Sequence, residues 1–308
     1  MVYLIMRRAL FVAVLLLTGC SLKTIAMKSL ADTVAEPGGV YSRDEDPELV
    51  RDALPVMLKI MEQLADGLPA HKGIRLALVR SFTSFGVAFL EEDGDRAQEK
   101  DVERGRVLYL RGKKMCLRAY EYGLSGLEIS VPGFKKAFAD GGSRQERDRV
   151  LALVKKDDVP LLYWSGAALG SAIYMGKDDM KLVGDLPLVE RLMKRALDLD
   201  EAWDEGSIHE FFVTYDGSRS AAQGGGPKRA KEHLDRALAL SKNKKLSPLV
   251  SYAEAVTIDA QDKKEFTRLL QKVGDFDVDS DPDHRLVNII AQRRAKWLLS
   301  RISDLFTE

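Results

Sequence analysis

The stretch from Leu161 to Gly176, LLYWSGAALGSAIYMG, decides the fold. It has bulky and small side chains but no polar face, and a helix of this kind must be buried among other helices. The stretch from Pro187 to Leu199, PLVERLMKRALDL, follows after a polar connector in which Asp185 is a candidate N-cap. Its apolar residues fall on one helical face. A buried helix, a short loop and an amphipathic helix together predict an antiparallel helical hairpin.

Helical periods continue on both sides of this hairpin. A helix is predicted to start at Asp46-Pro47, an N-cap followed by proline in the first turn, and Pro55 is expected to kink or split it. A later helix is predicted to end at Gly123, and the following run GLSGLEISVPGF is interpreted as an irregular connection. No segment alternates convincingly with period two. The sequence therefore predicts an all-α fold.

The N-terminus carries an export signal. Arg7 and Arg8 precede the apolar run ALFVAVLLL, which is too short to span a bilayer as a stable helix and ends in Leu17-Thr18-Gly19-Cys20. This order resembles the bacterial lipoprotein signal, in which the cysteine is lipidated and the chain is cut before it. The alternative is a secretory signal with an incidental cysteine. Met6 is an alternative start that leaves the interpretation unchanged.

The predicted organisation follows from this signal. We expect a signal peptide over 1–19, a flexible lipid-anchored tether over 20–45 and a single α-helical domain over 46–308. Ser21 occupies the position where aspartate would resemble an inner-membrane retention signal, so the outer membrane is favoured. The mature chain is then expected to face the periplasm, held by lipid at Cys20.

Composition and motifs exclude several function classes. Lys plus Arg and Asp plus Glu are both 47, so no basic field favours nucleic acid. Cys20 and Cys116 are the two cysteines, and with Cys20 lipidated no disulfide framework is possible. His209-Glu210 opens like a zinc-protease helix, but position 213 is Val where the second histidine is required. We expect no metal, no cofactor and no catalytic nucleophile–base pair, hence no enzyme.

Aromatic residues concentrate in two neighbouring segments and mark a candidate ligand cavity. Packing in an ordinary core is the alternative interpretation of these side chains. A partly apolar cavity with a few polar groups is the functional one. The candidate cavity residues are Tyr163, Trp164, Trp203, His209, Glu210, Phe212 and Tyr215, with Phe211 among them.

Three helices share a small, large, small pattern at offsets 0, +4 and +7. This pattern resembles the second helix of a tetratricopeptide repeat, although the intervals are irregular and chance periodicity in a helical bundle is the alternative. It predicts antiparallel hairpins stacked as a tetratricopeptide-like solenoid. The three sets are Gly112/Cys116/Ala119, Val189/Met193/Ala196 and Ala230/Leu234/Ala237.

The whole chain resembles the T-component (TatT) lipoproteins of tripartite ATP-independent periplasmic (TRAP) transporters. The resemblance rests on the lipidation signal and on LLYWSGAALGSAI, LMKRALDLDEAW running into GSIHEFFVTY, the glycines before KRAKEHLDRALALS, and RLVNIIAQRRAKWLLSRISDLF. It implies binding to the periplasmic solute-binding subunit, an internal cavity for an apolar or amphipathic solute, and a homo-oligomer with a trimer as the first expectation. The alternative function is a tetratricopeptide-type scaffold for envelope assembly without a small-molecule ligand.

Overall fold

All regular structure found in the described part of the chain is helical. The computed structural model describes residues 22–36, 38–139 and 141–307. The all-α class is therefore confirmed. The signal peptide over 1–19 and the lipidation site Cys20 lie outside the described residues, so both stay predictions.

The helices follow one another in chain order and are joined mostly by short turns. The α-helices are α1 (22–35), α2 (Pro47–Gly67), α3 (Lys72–Phe85), α4 (Glu92–Gln98), α5 (Val102–Ser130), α6 (Phe134–Phe138), α7 (Arg144–Leu153), α8 (Val159–Met175), α9 (Met180–Val183), α10 (Leu186–Leu199), α11 (Ser207–Gly217), α12 (Pro227–Leu240), α13 (Ser247–Tyr252), α14 (Lys263–Gly274), α15 (Arg285–Leu299) and α16 (Ile302–Leu305). Two π-helical segments, Gly86–Glu91 and Ala253–Thr257, link α3 to α4 and continue α13. Pro55 lies inside α2 without splitting it.

The stretch that decides the fold forms α8 and α10, as predicted. These helices pack closely, because a methyl group at Gly166 would lie 2.9 Å from the Cε atom of Met193. Leu161, Leu162 and Leu169 of α8 are fully buried. The polar connector between the two helices contains the one-turn helix α9.

The helix predicted to end at Gly123 continues to Ser130, so the expected irregular connection is wrong over residues 123–130. Gly123 lies in the interior of α5, against α8, and Gly126 packs in the same way against Leu161. Glycine is present here because the two helices approach too closely for a side chain. Because glycine often follows the last residue of a helix, Gly123 resembles the end of a helix when the sequence is considered alone.

Part of the expected flexible tether over 20–45 is helical in the structure. Helix α1 occupies 22–35, and Ala31 is completely buried. Met27, Ala31 and Val34 recur at spacings of four and three, which gives α1 an apolar stripe against the main core. This stripe is the feature that the small, polar composition of the segment obscured.

The small, large, small residues of the three repeated patterns are all buried. They lie on α5, α10 and α12, where these helices contact their neighbours. Close approach is clearest at Ala237, whose Cα atom would lie 3.2 Å from a methyl group at Gly206. The stacking of the hairpins as a tetratricopeptide-like solenoid stays a prediction.

The last long helix, α15, returns to the beginning of the chain. Four polar contacts, which we call the terminal seam, join the two regions: Arg43–Asp283 (2.9 Å), Glu48–Arg293 (2.7 Å), Asp95–Arg294 (2.5 Å) and Glu99–Trp297 (2.7 Å). The continuous helical stretch Lys72–Gln98 is long and apolar enough to cross a membrane, but most of its apolar window is buried inside the fold. Core helices of soluble domains commonly meet the same criterion.

Candidate functional site

One face of α8 is only half-buried, although the rest of this helix is packed in the core. Tyr163, Ala167, Gly170 and Tyr174 lie on this face, because their spacings of four, three and four residues keep them on one side of a helix. Because Ala167 and Gly170 are small, the surface is lower in the middle of the face than at its two ends, where the tyrosines lie. We call this surface the inner face of α8.

Trp203 covers the first end of this face. Its ring lies 4.7 Å from that of Tyr163, which in turn lies 5.3 Å from Trp164, and all three residues are half-buried. Trp203 begins a tight turn in which Asp204 and Glu205 have positive φ values of 46° and 55°. Non-glycine residues in this region carry backbone strain, so the surrounding structure must hold the turn in place.

Helix α11 lies beside the inner face of α8 and supplies further side chains to it. The ring of Phe211 lies near Gly170, since a methyl group there would lie 3.7 Å from it. Glu210 is half-buried, yet burial raises the pKa of its carboxyl group, an effect that Ser247 and Lys245 oppose. Burial also raises the pKa of Tyr163, with Glu210 and Asp204 adding to the effect. Both groups therefore favour their uncharged forms more than they would in water.

The remaining predicted cavity residues are buried within the fold. Phe212 stacks on His233 with 5.0 Å between ring centroids, and Tyr215 packs against both Phe211 and Phe212. Burial raises the pKa of Tyr215 to about 12. These side chains support the rings that are accessible and do not themselves present a surface.

His209 is buried in a pair with His233. Their Nδ1 atoms are 2.8 Å apart, while the Nε2 atoms face Glu201 at 3.4 Å and Asp216 at 3.6 Å. Burial is the main cause that lowers the pKa of both imidazoles. A neutral pair can share one hydrogen bond, whereas two imidazolium ions would direct N–H groups at each other.

A pocket of about 410 Å³ opens at the other end of the inner face of α8. Tyr109 and Tyr174 form part of its wall, in an edge-to-face contact with 6.3 Å between ring centroids. The wall also carries Asp95, Glu99, Lys177, Glu254, Arg294, Trp297 and Arg301. We call it the Arg294 pocket. It is more polar than the aromatic end, and it lies beside the terminal seam.

Arg294 lies at the centre of the ion-pair contacts around this pocket. Its guanidinium contacts Glu254 at 2.5 Å, Asp95 at 2.5 Å and Glu92 at 3.4 Å, and lies 4.4 Å from the ring centroid of Trp297. Glu254 belongs to one π-helical segment, and π-helical turns often occur at functional sites.

Glu91, at the end of the other π-helical segment, lies in the same electrostatic environment. Burial, followed by the charge of Asp95, raises the pKa of its carboxyl group to about 8. Its neighbours Glu254 and Glu92 add to this effect, while Arg294 opposes it.

The structure thus joins part of the predicted cluster to a pocket that the sequence interpretation missed. Tyr163 and Tyr174 are eleven residues apart on α8, which places the two ends ~16 Å from each other. The sequence did contain a signal, because the acidic run EEDGD over 91–95 and the basic run RRAK over 293–296 are complementary in charge. No group of three or more His, Cys, Asp or Glu with metal-binding geometry occurs within 22–36, 38–139 and 141–307.

Comparison with known proteins assigns the family. The family model described as TRAP transporter T-component matches residues 43–306. The chain is also 30% identical, over 315 aligned positions, to an uncharacterized protein of Treponema pallidum (strain Nichols), covering 97% of this chain and 96% of that protein. The family match, which extends through nearly all of the helical region, confirms the resemblance found in the sequence: the chain belongs to the TRAP transporter T-component family.

Proposed function

We propose that this protein is a lipid-anchored, periplasm-facing accessory of a TRAP transporter that binds the solute-binding subunit and holds an apolar or amphipathic solute. The family supports the transporter role and a bacterial envelope location. The lipidation signal ending at Cys20 supports the anchor, and Ser21 favours the outer membrane. A homo-oligomer, with a trimer as the first expectation, is part of the same proposal.

The inner face of α8 is the observation that carries the solute site. It offers aromatic rings at one end, small residues in the middle and the charged Arg294 pocket at the other end. Binding sites for small molecules are typically concave, largely apolar and provided with a few polar groups. An amphipathic solute would place its apolar part between Tyr163, Trp203 and Phe211, and its polar part toward Arg294.

Substitutions in the middle of this face test the solute site. Ala167→Phe would fill the space between the two tyrosines, so we expect loss of small molecules that are extracted from the wild-type protein purified from its native envelope. Ala239→Phe, at an exposed position of α12, is the matched control. Mass spectrometry of the extract is the measurement. An unchanged extract from Ala167→Phe would exclude this face as the solute site.

Two substitutions, Trp164→Ala and Trp203→Ala, test whether these tryptophans line a cavity or pack in a core. A core tryptophan truncated to alanine costs ~3–5 kcal/mol, whereas a tryptophan lining a cavity costs less and its loss weakens solute binding. We expect a modest drop in melting temperature and a depleted extract, with the larger depletion in Trp203→Ala because Trp203 covers the end of the inner face of α8, whereas Trp164 does not lie on that face. Large melting losses with an unchanged extract would make both residues core.

Copurification tests the partner. We expect the full-length lipoprotein, isolated with mild detergent from its native envelope, to bring the solute-binding subunit with it. Recovery of envelope-assembly proteins without that subunit, and without a bound solute, would favour a scaffold role.

A further inference from the structure

Helix α1 is attached to the rest of the fold by one side only. Met27, Ala31 and Val34 face the core, and the methyl group of Met27 reaches Gly67 at the end of α2. Ala35 lies against Gly73 at the start of α3, with 3.1 Å between its Cβ atom and a methyl group built at that glycine. Helix α1 therefore lies across the turn between α2 and α3, in a fixed position.

The opposite side of α1 is apolar and exposed. Leu22, Ile25 and Leu30 are 65%, 63% and 49% exposed. Helical geometry places them in one sector with Ala26, Ser29 and Thr33, and this sector contains no charged residue. Lys23 and Lys28, both exposed, lie on either side of it. Asp32, near the margin on the Lys28 side, is hydrogen-bonded to the Nε2 atom of His71 at 2.9 Å.

The position of this sector in the chain identifies what covers it. Cys20 precedes Leu22 by two residues, and two residues span at most ~7 Å. If the acyl chains of Cys20 are in the bilayer, the start of α1 must therefore lie at the membrane surface. Exposed leucine and isoleucine flanked by lysines are typical of helices that lie in the lipid interface, where the lysines reach anionic head groups.

We infer that the first two turns of α1 lie in the interfacial layer of a phospholipid bilayer, with Leu22 and Ile25 among the acyl chains and Lys23 and Lys28 toward the phosphate groups. This inference rests on the proposed lipidation of Cys20. Because α1 is fixed to the turn between α2 and α3, the contact would hold the domain in one orientation relative to the membrane. A flexible tether would leave that orientation free.

A fluorophore attached to α1 tests the contact in the full lipidated chain. Ala26→Cys introduces a thiol in the exposed sector, while the remaining cysteine, Cys116, is buried and burial raises its thiol pKa. An environment-sensitive dye at position 26 is expected to show blue-shifted emission on vesicles of phosphatidylethanolamine and phosphatidylglycerol, and quenching by nitroxide-labelled lipid. The same dye at Glu232→Cys, an exposed position of α12, should keep the emission it has in water.

One further variant and three outcomes show whether α1 contacts the bilayer. Adding Leu22→Glu and Ile25→Glu to Ala26→Cys should return the emission to its value in water, while the chain still floats with the vesicles and melts as before. A floating Ala26→Cys chain with water-like emission would overturn the helix contact alone. A chain that fails to float, with Cys20 unacylated by mass spectrometry, would overturn the anchor and the helix contact together.

Discussion

Gly123 of α5 and Ser165 of α8 are in direct contact: a methyl group added at Gly123 would overlap the Ser165 hydroxyl and lie 3.1 Å from the Ser165 Cβ atom. The same methyl group would lie 3.2 Å from the Cγ2 atom of Val79 on α3. Three helices therefore meet at Gly123, which sets how closely α5 and α8 can approach each other.

Gly123→Ala should lower the free energy of unfolding by ~1–3 kcal/mol, because the added methyl group forces α5 and α8 apart. Ser165→Ala added to it should restore part of this loss, since the Ser165 hydroxyl has no hydrogen-bond partner among the described residues. Gly274→Ala, with open space around position 274, is the control and should be nearly neutral. Chemical denaturation measures all three. Equal losses at 123 and 274 would contradict the close contact.

Ala237 provides a second test of helix packing. Ala237→Leu should cost ~1–3 kcal/mol, because the residue is buried where α12 approaches Gly206. Lys231→Leu on the exposed side of α12 loses a surface ion pair with Asp235 and should change stability little. Equal shifts in the melting temperature of the two variants would count against this packing register.

Arg293 and Arg294 are neighbours in sequence with different environments. The Arg294 side chain is 15% exposed and contacts three carboxylates, whereas Arg293 is 47% exposed and contacts Glu48. Arg294→Met should cost ~3–5 kcal/mol, because it leaves the buried carboxylate of Asp95 and the partly buried carboxylates of Glu92 and Glu254 without this cation. Arg293→Met should cost ~0–1 kcal/mol. Denaturation midpoints at neutral pH distinguish the two variants, and similar values would contradict a stabilising contribution from the three carboxylate contacts of Arg294.

The His209–His233 pair should contribute a loss of stability in mild acid, whereas Glu91, with its pKa raised to about 8, contributes a change of the opposite sign. Both pKa values are lowered in the folded chain from the ordinary value of 6.5. As the pH falls below about 6.5, these two histidines bind protons in the unfolded chain that they do not bind in the folded chain, and the contribution of the pair to the free energy of unfolding decreases. Replacing both histidines with Gln should remove this acid-destabilising contribution, so the variant should lose less stability than the wild type between pH 7.5 and pH 5.5, whereas Lys231→Gln should not change the pH dependence. Melting temperatures between pH 7.5 and pH 5.5 would show whether the slope belongs to the pair.

Cys20→Ser should release the protein into the periplasm, because the contact made by the start of α1 is too small to retain it without acyl chains. Fractionation of cells expressing the full chain is the measurement. Persistence of the variant in membranes after a high-salt wash would show that lipidation is not the anchor.

The sequence predicted the fold well where periodicity and burial agree. The lack of a polar face on α8 and the apolar stripe of α10 were sufficient to place both helices in the core. Prediction failed where one residue type serves two purposes. The sequence around Gly123 is typical of a helix end, but the small size of this glycine serves a tertiary contact 42 positions away in sequence, at Ser165. Local sequence does not contain the partner that gives such a residue its role.

The candidate site is also only partly predictable from the sequence. The aromatic residues around Tyr163 and Trp203 could be grouped from the sequence, because they lie in consecutive elements. Their separation into accessible and buried side chains could not, since it depends on which side of α11 faces α8. The Arg294 pocket combines residues from α4, α5, α8 and α15. These residues come together only because α15, near the end of the chain, returns to α4, near its beginning.

The terminal seam also has a consequence for how the chain unfolds. In an open array of helical hairpins each unit contacts only its neighbours, so stability adds unit by unit and the ends fray independently. Here Asp95 and Arg294, 199 residues apart, are bound to each other. Because detaching either end removes support from the other, we expect the early and late helices to unfold in one cooperative transition. An insertion or deletion of helices between Asp95 and Arg294 would therefore have to preserve this contact to keep the coupling.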